Sequence, residues 1–147
     1  MYEVTLSDRR EDVDFEFVHR FLSEQSIWAT GVGRATQRRA LDNSLCISAF
    51  HEAKQVGFAR VVTDYATYAW VDDVFVAESA QGQGVSHHLI TTILQHADLK
   101  SVASWWLSSS NPVARSLFEK HGFRTPDPDR LGKLMALPKY QGDEYKS

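Results

Sequence analysis

The sequence predicts a mixed-sheet α/β domain with a hairpin-rich front half and a crossover back half. Two observations carry that prediction. Leu45–Phe50, Val56–Val62 and Tyr68–Val76 are apolar runs separated only by short turns, the pattern of antiparallel strands. Behind them, helix and strand patterns alternate from Ser86 onward, as crossover units do.

Taken in order, Tyr2–Leu6 alternates apolar and polar residues and reads as a first strand. Asp12–Glu24 spaces Phe15, Val18, Phe21 and Leu22 as one helical face. Ile27–Gly33 is a loop with two glycines, and Arg34–Asp42 a short basic helix. The strands Leu45–Phe50 and Val56–Val62 join through His51–Lys54, and Thr63–Thr67 turns the chain into Tyr68–Val76, rich in β-branched and aromatic residues. Ser86–His96 is a helix, with Val85, Leu89, Ile90, Ile93 and Leu94 on one face. Ser101–Leu107 is a strand. Asn111-Pro112 supplies an N-cap and a first-position proline to the next helix, which Gly122 ends. Leu131–Leu137 reads as a last strand, and Gln141–Ser147 as a polar tail that frays. Residues 1–140 therefore form one domain and 141–147 a tail.

A chain of 147 residues can bury its own core. Its 43% hydrophobic and 24% charged residues are ordinary for a soluble protein. The formal charge of -3 and pI near 6.0 argue against a nucleic-acid binder. No apolar run suffices to cross a bilayer, and Met1–Val4 lacks the start of a signal peptide, so the expected location is the cytoplasm. Cys46, the single cysteine, lies between Leu45 and Ile47 and reads as a small buried hydrophobe.

The segment Val74–His96 combines a strand, a glycine turn at Gln81-Gly82-Gln83-Gly84-Val85-Ser86, and a helix. A helix start offers unpaired N–H groups and a partial positive charge, and glycines let backbone approach a ligand. The combination suits a phosphate. A dinucleotide turn fails because its third glycine position is His87, and a P-loop fails because no lysine follows Gly84.

The run Val76–Ile90 resembles the acetyl-CoA motif of the GCN5-related N-acetyltransferases (GNAT), whose core is Gln/Arg-x-x-Gly-x-Gly/Ala after a strand ending in Val. Gln81 and Gly84 fill the first two positions, and Ser86 replaces the usual Gly or Ala. The later segment Asn111, Ala114, Phe118-Glu119-Lys120-His121-Gly122-Phe123 resembles that family's Asn…Ala…Tyr-Glu-Lys-x-Gly-Phe. The resemblance spans roughly residues 2–137 and implies a mostly antiparallel sheet with splayed central strands, flanked by helices. It implies that backbone N–H groups of Gln81, Gly82, Gln83, Gly84, Val85 and Ser86 hold the CoA pyrophosphate. Val74, Phe75 and Val76 would pair with the pantetheine arm, with one N–H near Phe75 or Val76 polarising the thioester carbonyl. Asn111 either contacts the cofactor or simply caps its helix.

The implied reaction is attack of a primary amine on the thioester of acetyl-CoA. A lysine-like amine is neutral in only about 1 in 10³ molecules at pH 7, so a base is needed. Asp72 and Asp73 are candidates: acids on an interior strand are unusual, and in the family acids on this strand often serve as base. Strand alternation puts them on opposite faces. Asp73 is favoured, with Asp72 as the substitute, against the reading that one or both pair with a cation. The family's usual general acid is a tyrosine, and here that position is Phe118, expected beside the thioester but without a proton to give. Water, Ser109, Ser110, Tyr65 or Tyr68 could replace it.

Other features carry less. His87 and His88 diverge by about 100° around a helix and cannot share an ion, and no metal is expected. Arg34, Arg38 and Arg39 read as a solvated face, and Trp105-Trp106 as core. The resemblance places the acceptor site at Phe21–Arg34, with Trp28 as a mobile aromatic wall or a packed side chain, and after Phe123. The expected acceptor is a small-molecule or peptide amine; a homodimer is compatible with the reading. A non-catalytic acyl-CoA-binding or sensor module is the alternative.

Overall fold

The computed structural model describes residues 1–137 and 142–147. Five strands, β1 (Thr5–Ser7), β2 (Leu45–His51), β3 (Lys54–Thr63), β4 (Tyr68–Val76) and β5 (Ser104–Trp106), lie side by side in chain order. Neighbours are antiparallel except β4 and β5, which are parallel. The β2–β3 turn is tight because Glu52 and Ala53 both adopt positive φ, 49° and 64°, which matches the twist of the flanking strands. The helices are α1 (Phe15–Arg20), α2 (Arg34–Asp42), α3 (Val85–Gln95), α4 (Pro112–Lys120) and α5 (Pro128–Leu131). The expected mixed, mostly antiparallel sheet flanked by helices is therefore the fold observed.

Strand alternation divides the buried side chains between the two sheet faces. Ile47, Val61 and Val71 meet Val85, Leu89, Ile90 and Ile93 of α3. Cys46, Phe58 and Phe75 meet Val18 and Leu22 of the α1 region and Leu41 of α2. Burial raises the Cys46 thiol to about 11, so it is an inert core group, as its neighbours suggested. Gly57 sets how closely α3 approaches the sheet: a Cβ there would lie 2.9 Å from Val85 Cγ1.

Three expectations are corrected. The helix expected over 12–24 is broken: after α1 the chain widens into a π-helical turn at Phe21–Gln25, closed by Ser26 N–H donating to Phe21 O at 2.9 Å. Leu131–Leu137 is not a strand. Asp127 caps Arg130 N–H and Pro128 starts α5, so the chain turns away; Leu134, Met135 and Leu137 are exposed and pair with no strand. Residues 142–147 are not frayed. Their carbonyls take up the α2 start, with Gly33 N–H on Tyr145 O at 3.0 Å and Ala35 N–H on Ser147 O at 3.1 Å, while Tyr145 packs against the α1–α2 cluster.

Candidate active site

The site arises where β4 leaves β5. The pair is registered only at Tyr68–Ser104, Ala69–Trp105 and Trp70–Trp106, so β4 from Val71 to Val76 has no partner on that side. A groove of about 1090 Å³ opens there. It runs from Gln81–Ser86 past Phe75 and Val76 to Phe21 and Trp28.

At one end, Gly82 and Gly84 hold φ of 77° and 80°, the region that disfavours a Cβ. Neither would meet an atom within 4 Å if it carried one, so backbone conformation, not crowding, requires glycine. Gly84 is the N-cap of α3, no side chain caps that helix, and its first turn holds no acid. The first-turn N–H groups are thus left for an anion, which fits the pyrophosphate end of acetyl-CoA. Gln81, Gly82, Gly84, Val85 and Ser86 line the groove, as do Val74, Phe75 and Val76; Gln83 is exposed and does not. Across the gap, Asn111 Oδ1 accepts from Val113 N–H at 2.9 Å and Ala114 N–H at 3.2 Å. Its oxygen is therefore committed to capping α4, and only its amide N–H2 is left for a ligand.

At the other end sit Asp72 and Asp73. They do not point to opposite faces, as strict alternation predicts. A β-bulge places one extra β4 residue between the pairs Phe58–Phe75 and Arg60–Asp72, and Asp73 takes φ of 50°. The extra residue turns both carboxylates to one guanidinium: Arg60 Nε lies 2.7 Å from Asp73 Oδ2, and its terminal nitrogen 3.2 Å from Asp72 Oδ2. Asp73 is 6% exposed and also accepts the Trp28 indole N–H at 2.7 Å. Asp72 is more open, and its Oδ1 accepts Asp73 N–H at 2.9 Å. Burial first, and the Asp73 charge second, raise the Asp72 carboxyl above its ordinary 3.8.

Phe118 is 8% exposed and lines the groove beside Ala114 and Leu117, with its ring edge-on to Phe123. Ser108, Ser109 and Ser110 line the same wall, whereas Tyr65 and Tyr68 do not reach it. Trp28 is half-exposed but pinned by Asp73, so it is neither free nor buried in the core. Sequence reasoning missed Arg60, although it is the one charged residue between Val56 and Thr63 on the strand beside two interior acids. The histidines gather no metal site among the described residues. Arg34 pairs with Glu16 and Arg38 lies over the Phe15 ring at 3.8 Å, away from the groove.

A split sheet with an uncapped helix start at the mouth of the split defines the architecture of an acyl-CoA-dependent transferase. The chain belongs to the acetyltransferase (GNAT) family, whose pattern matches residues 10–123 and whose members transfer acyl groups from acetyl-CoA. A solved structure from Xanthomonas campestris pv. campestris, described as belonging to that family, is 35% identical, with 93% of this chain and 94% of that one covered and a TM-score of 0.86. A protein of Staphylococcus aureus, described as of unknown function and as an acetyltransferase by probability, is 25% identical over 93% and 100%, with a TM-score of 0.65. The ribosomal-protein-S18-alanine N-acetyltransferase of Escherichia coli shares the fold at 21% identity, 85% and 80% coverage and a TM-score of 0.68. No curated protein matches this chain.

Proposed function

We propose that this protein is an acetyl-CoA-dependent N-acetyltransferase in which a primary amine, of a small molecule or a peptide, attacks the thioester directly. The observation that carries the reading is the parting of β4 from β5, which joins the uncapped α3 start to the acid pair through one groove. The first-turn N–H groups of α3 bind the pyrophosphate, and the unpaired edge of β4 orients the pantetheine. Acetyl-CoA supplies the electrophilic thioester. As the N–C bond forms and the C–S bond breaks, the amine gives up a proton and the sulfur takes one.

Of the two acids, Asp72 fits the role of base better than Asp73. Asp73 has both oxygens engaged by Arg60 and Trp28 and serves as a positioning residue. Asp72 is more exposed, lines the groove, and has a raised affinity for a proton, directly or through water. Departing thiolate has no tyrosine, but a thiol near pKa 8.5 leaves at pH 7 for a penalty of only about 2 kcal/mol. Water or the serines at 108–110 supply that proton. Residues 1–140 serve as the catalytic domain. The negative balance and the buried thiol fit a cytoplasmic enzyme without a nucleic-acid partner.

Phe118 favours a second reading, a non-catalytic acyl-CoA-binding module. Two measurements separate the readings. Acetyl-CoA at about 100 Kd should add about 2.7 kcal/mol of stability in a thermal shift under either one. Thiol release over a panel of amines should exceed hydrolysis only for the enzyme; binding without release would establish the module instead.

A further inference from the structure

We propose that the acceptor is a primary arylalkylamine: one ammonium on a flat apolar body, with no carboxylate. This rests on the transferase reading above and concerns the same groove.

The acceptor arm carries large apolar side chains that solvent reaches. Ile27 is 84% exposed, Trp28 47% and Trp70 42%. A wall of this kind is left open where a ligand covers it. Phe21 extends it, stacked on Phe75 with centroids 3.9 Å apart and planes at 5°. The wall is also fixed, because the Trp28 indole is tied to Asp73. An aromatic surface beside a carboxylate pair is suited to an ammonium attached to a ring.

Charge narrows the class further. Among the described residues, Asp72, Asp73 and His87 are the acidic and basic side chains that line the groove, and His87 is at the glycine-turn end. Among the described residues, no lysine or arginine lines it. Arg60 stands behind the acids with one N–H of each nitrogen on Asp73, Asp72 and Ser44, and it does not line the groove where an acceptor carboxylate would lie. One guanidinium against two carboxylates leaves one formal negative charge, enough for one ammonium. An amino acid would bring a third carboxylate to two acids that share one guanidinium, and a polyamine would bring a second ammonium where one formal negative charge serves one.

The test compares thiol release from acetyl-CoA with 2-phenylethylamine, L-phenylalanine, spermidine and an alanine-initiated peptide. The expected result is a kcat/KM for 2-phenylethylamine about tenfold or more above the others. Trp28→Ala should raise its KM about tenfold, and Trp28→Phe, which keeps the ring and loses the indole N–H, should restore most of it. A preference for phenylalanine, spermidine or the peptide overturns the proposal and leaves the transferase reading standing. Equal KM in wild type and Trp28→Ala likewise overturns the role of the wall. Absence of release with every amine, while acetyl-CoA still raises Tm, overturns both together.

Discussion

Asp72 and Asp73 are adjacent in sequence and face the same arginine, yet the proposed reaction gives them different work. Asp73 is buried and holds Arg60 and Trp28, so Asp73→Asn removes a charged partner from a nearly dry site and should cost about 2 kcal/mol of stability. Urea denaturation measures that. Asp72→Asn should leave Tm almost unchanged and lower kcat by about 10²–10⁴-fold. The raised Asp72 carboxyl also has a signature in pH. The base works only when ionised, so kcat/KM should rise with pH across a limb whose midpoint lies above the ordinary 3.8, and Asp72→Asn should abolish that limb. A limb that moves with Asp73→Asn and not with Asp72→Asn would reverse the assignment. Phe118→Tyr restores a proton donor at the groove wall and should raise kcat at pH 7, with a ceiling set by the roughly 2 kcal/mol thiolate penalty. Steady-state rates at saturating acetyl-CoA check it.

Among the elements, α3 and α2 have their N-termini treated in opposite ways. That of α3 is left uncapped in the groove, with Gly84 at φ of 80° setting its direction. Gly84→Ala should cost about 1–2 kcal/mol for the left-handed backbone and weaken acetyl-CoA binding, read by titration calorimetry. That of α2 is filled by the chain itself, through the carbonyls of Tyr145 and Ser147 and by Glu144 O, which accepts from Thr36 Oγ1 at 3.0 Å. Gly33 permits this approach because a Cβ there would collide with the backbone of Lys146 and Ser147, although its φ of -74° suits any residue. Gly33→Ala should therefore lower Tm in the full chain and do almost nothing once residues 142–147 are deleted. This cycle isolates the docking from the glycine itself. Asp72 and Asp73 also help hold the Tyr145 hydroxyl protonated, behind the larger effect of burial, which ties the docked segment to the acceptor side.

At the scale of the whole molecule, the two apolar clusters lie on opposite faces of one five-strand sheet and neither can persist without it. Unfolding in urea should follow a single transition, with tryptophan fluorescence and far-ultraviolet circular dichroism coincident. Most of this architecture was legible in the chain. Strand and helix periods located β2, β3, β4, α2, α3 and α4, and the glycines located the turn that starts α3, because these features depend on local patterning and on φ. Local patterning failed where distant partners decided. Leu131–Leu137 has a strand-like composition, but the Asp127 cap turns it into α5 and an exposed run; the 142–147 segment is polar, but the α2 start gives its carbonyls partners. The two acids were likewise visible as unusual residues on an interior strand. By itself the sequence determined the fold class, the family and the place of the glycine turn before α3. Tertiary structure alone decided which acid is the more buried, that both share Arg60, and that Trp28 is tied to Asp73, because an inserted bulge residue cancels strand alternation and leaves no trace in residue spacing.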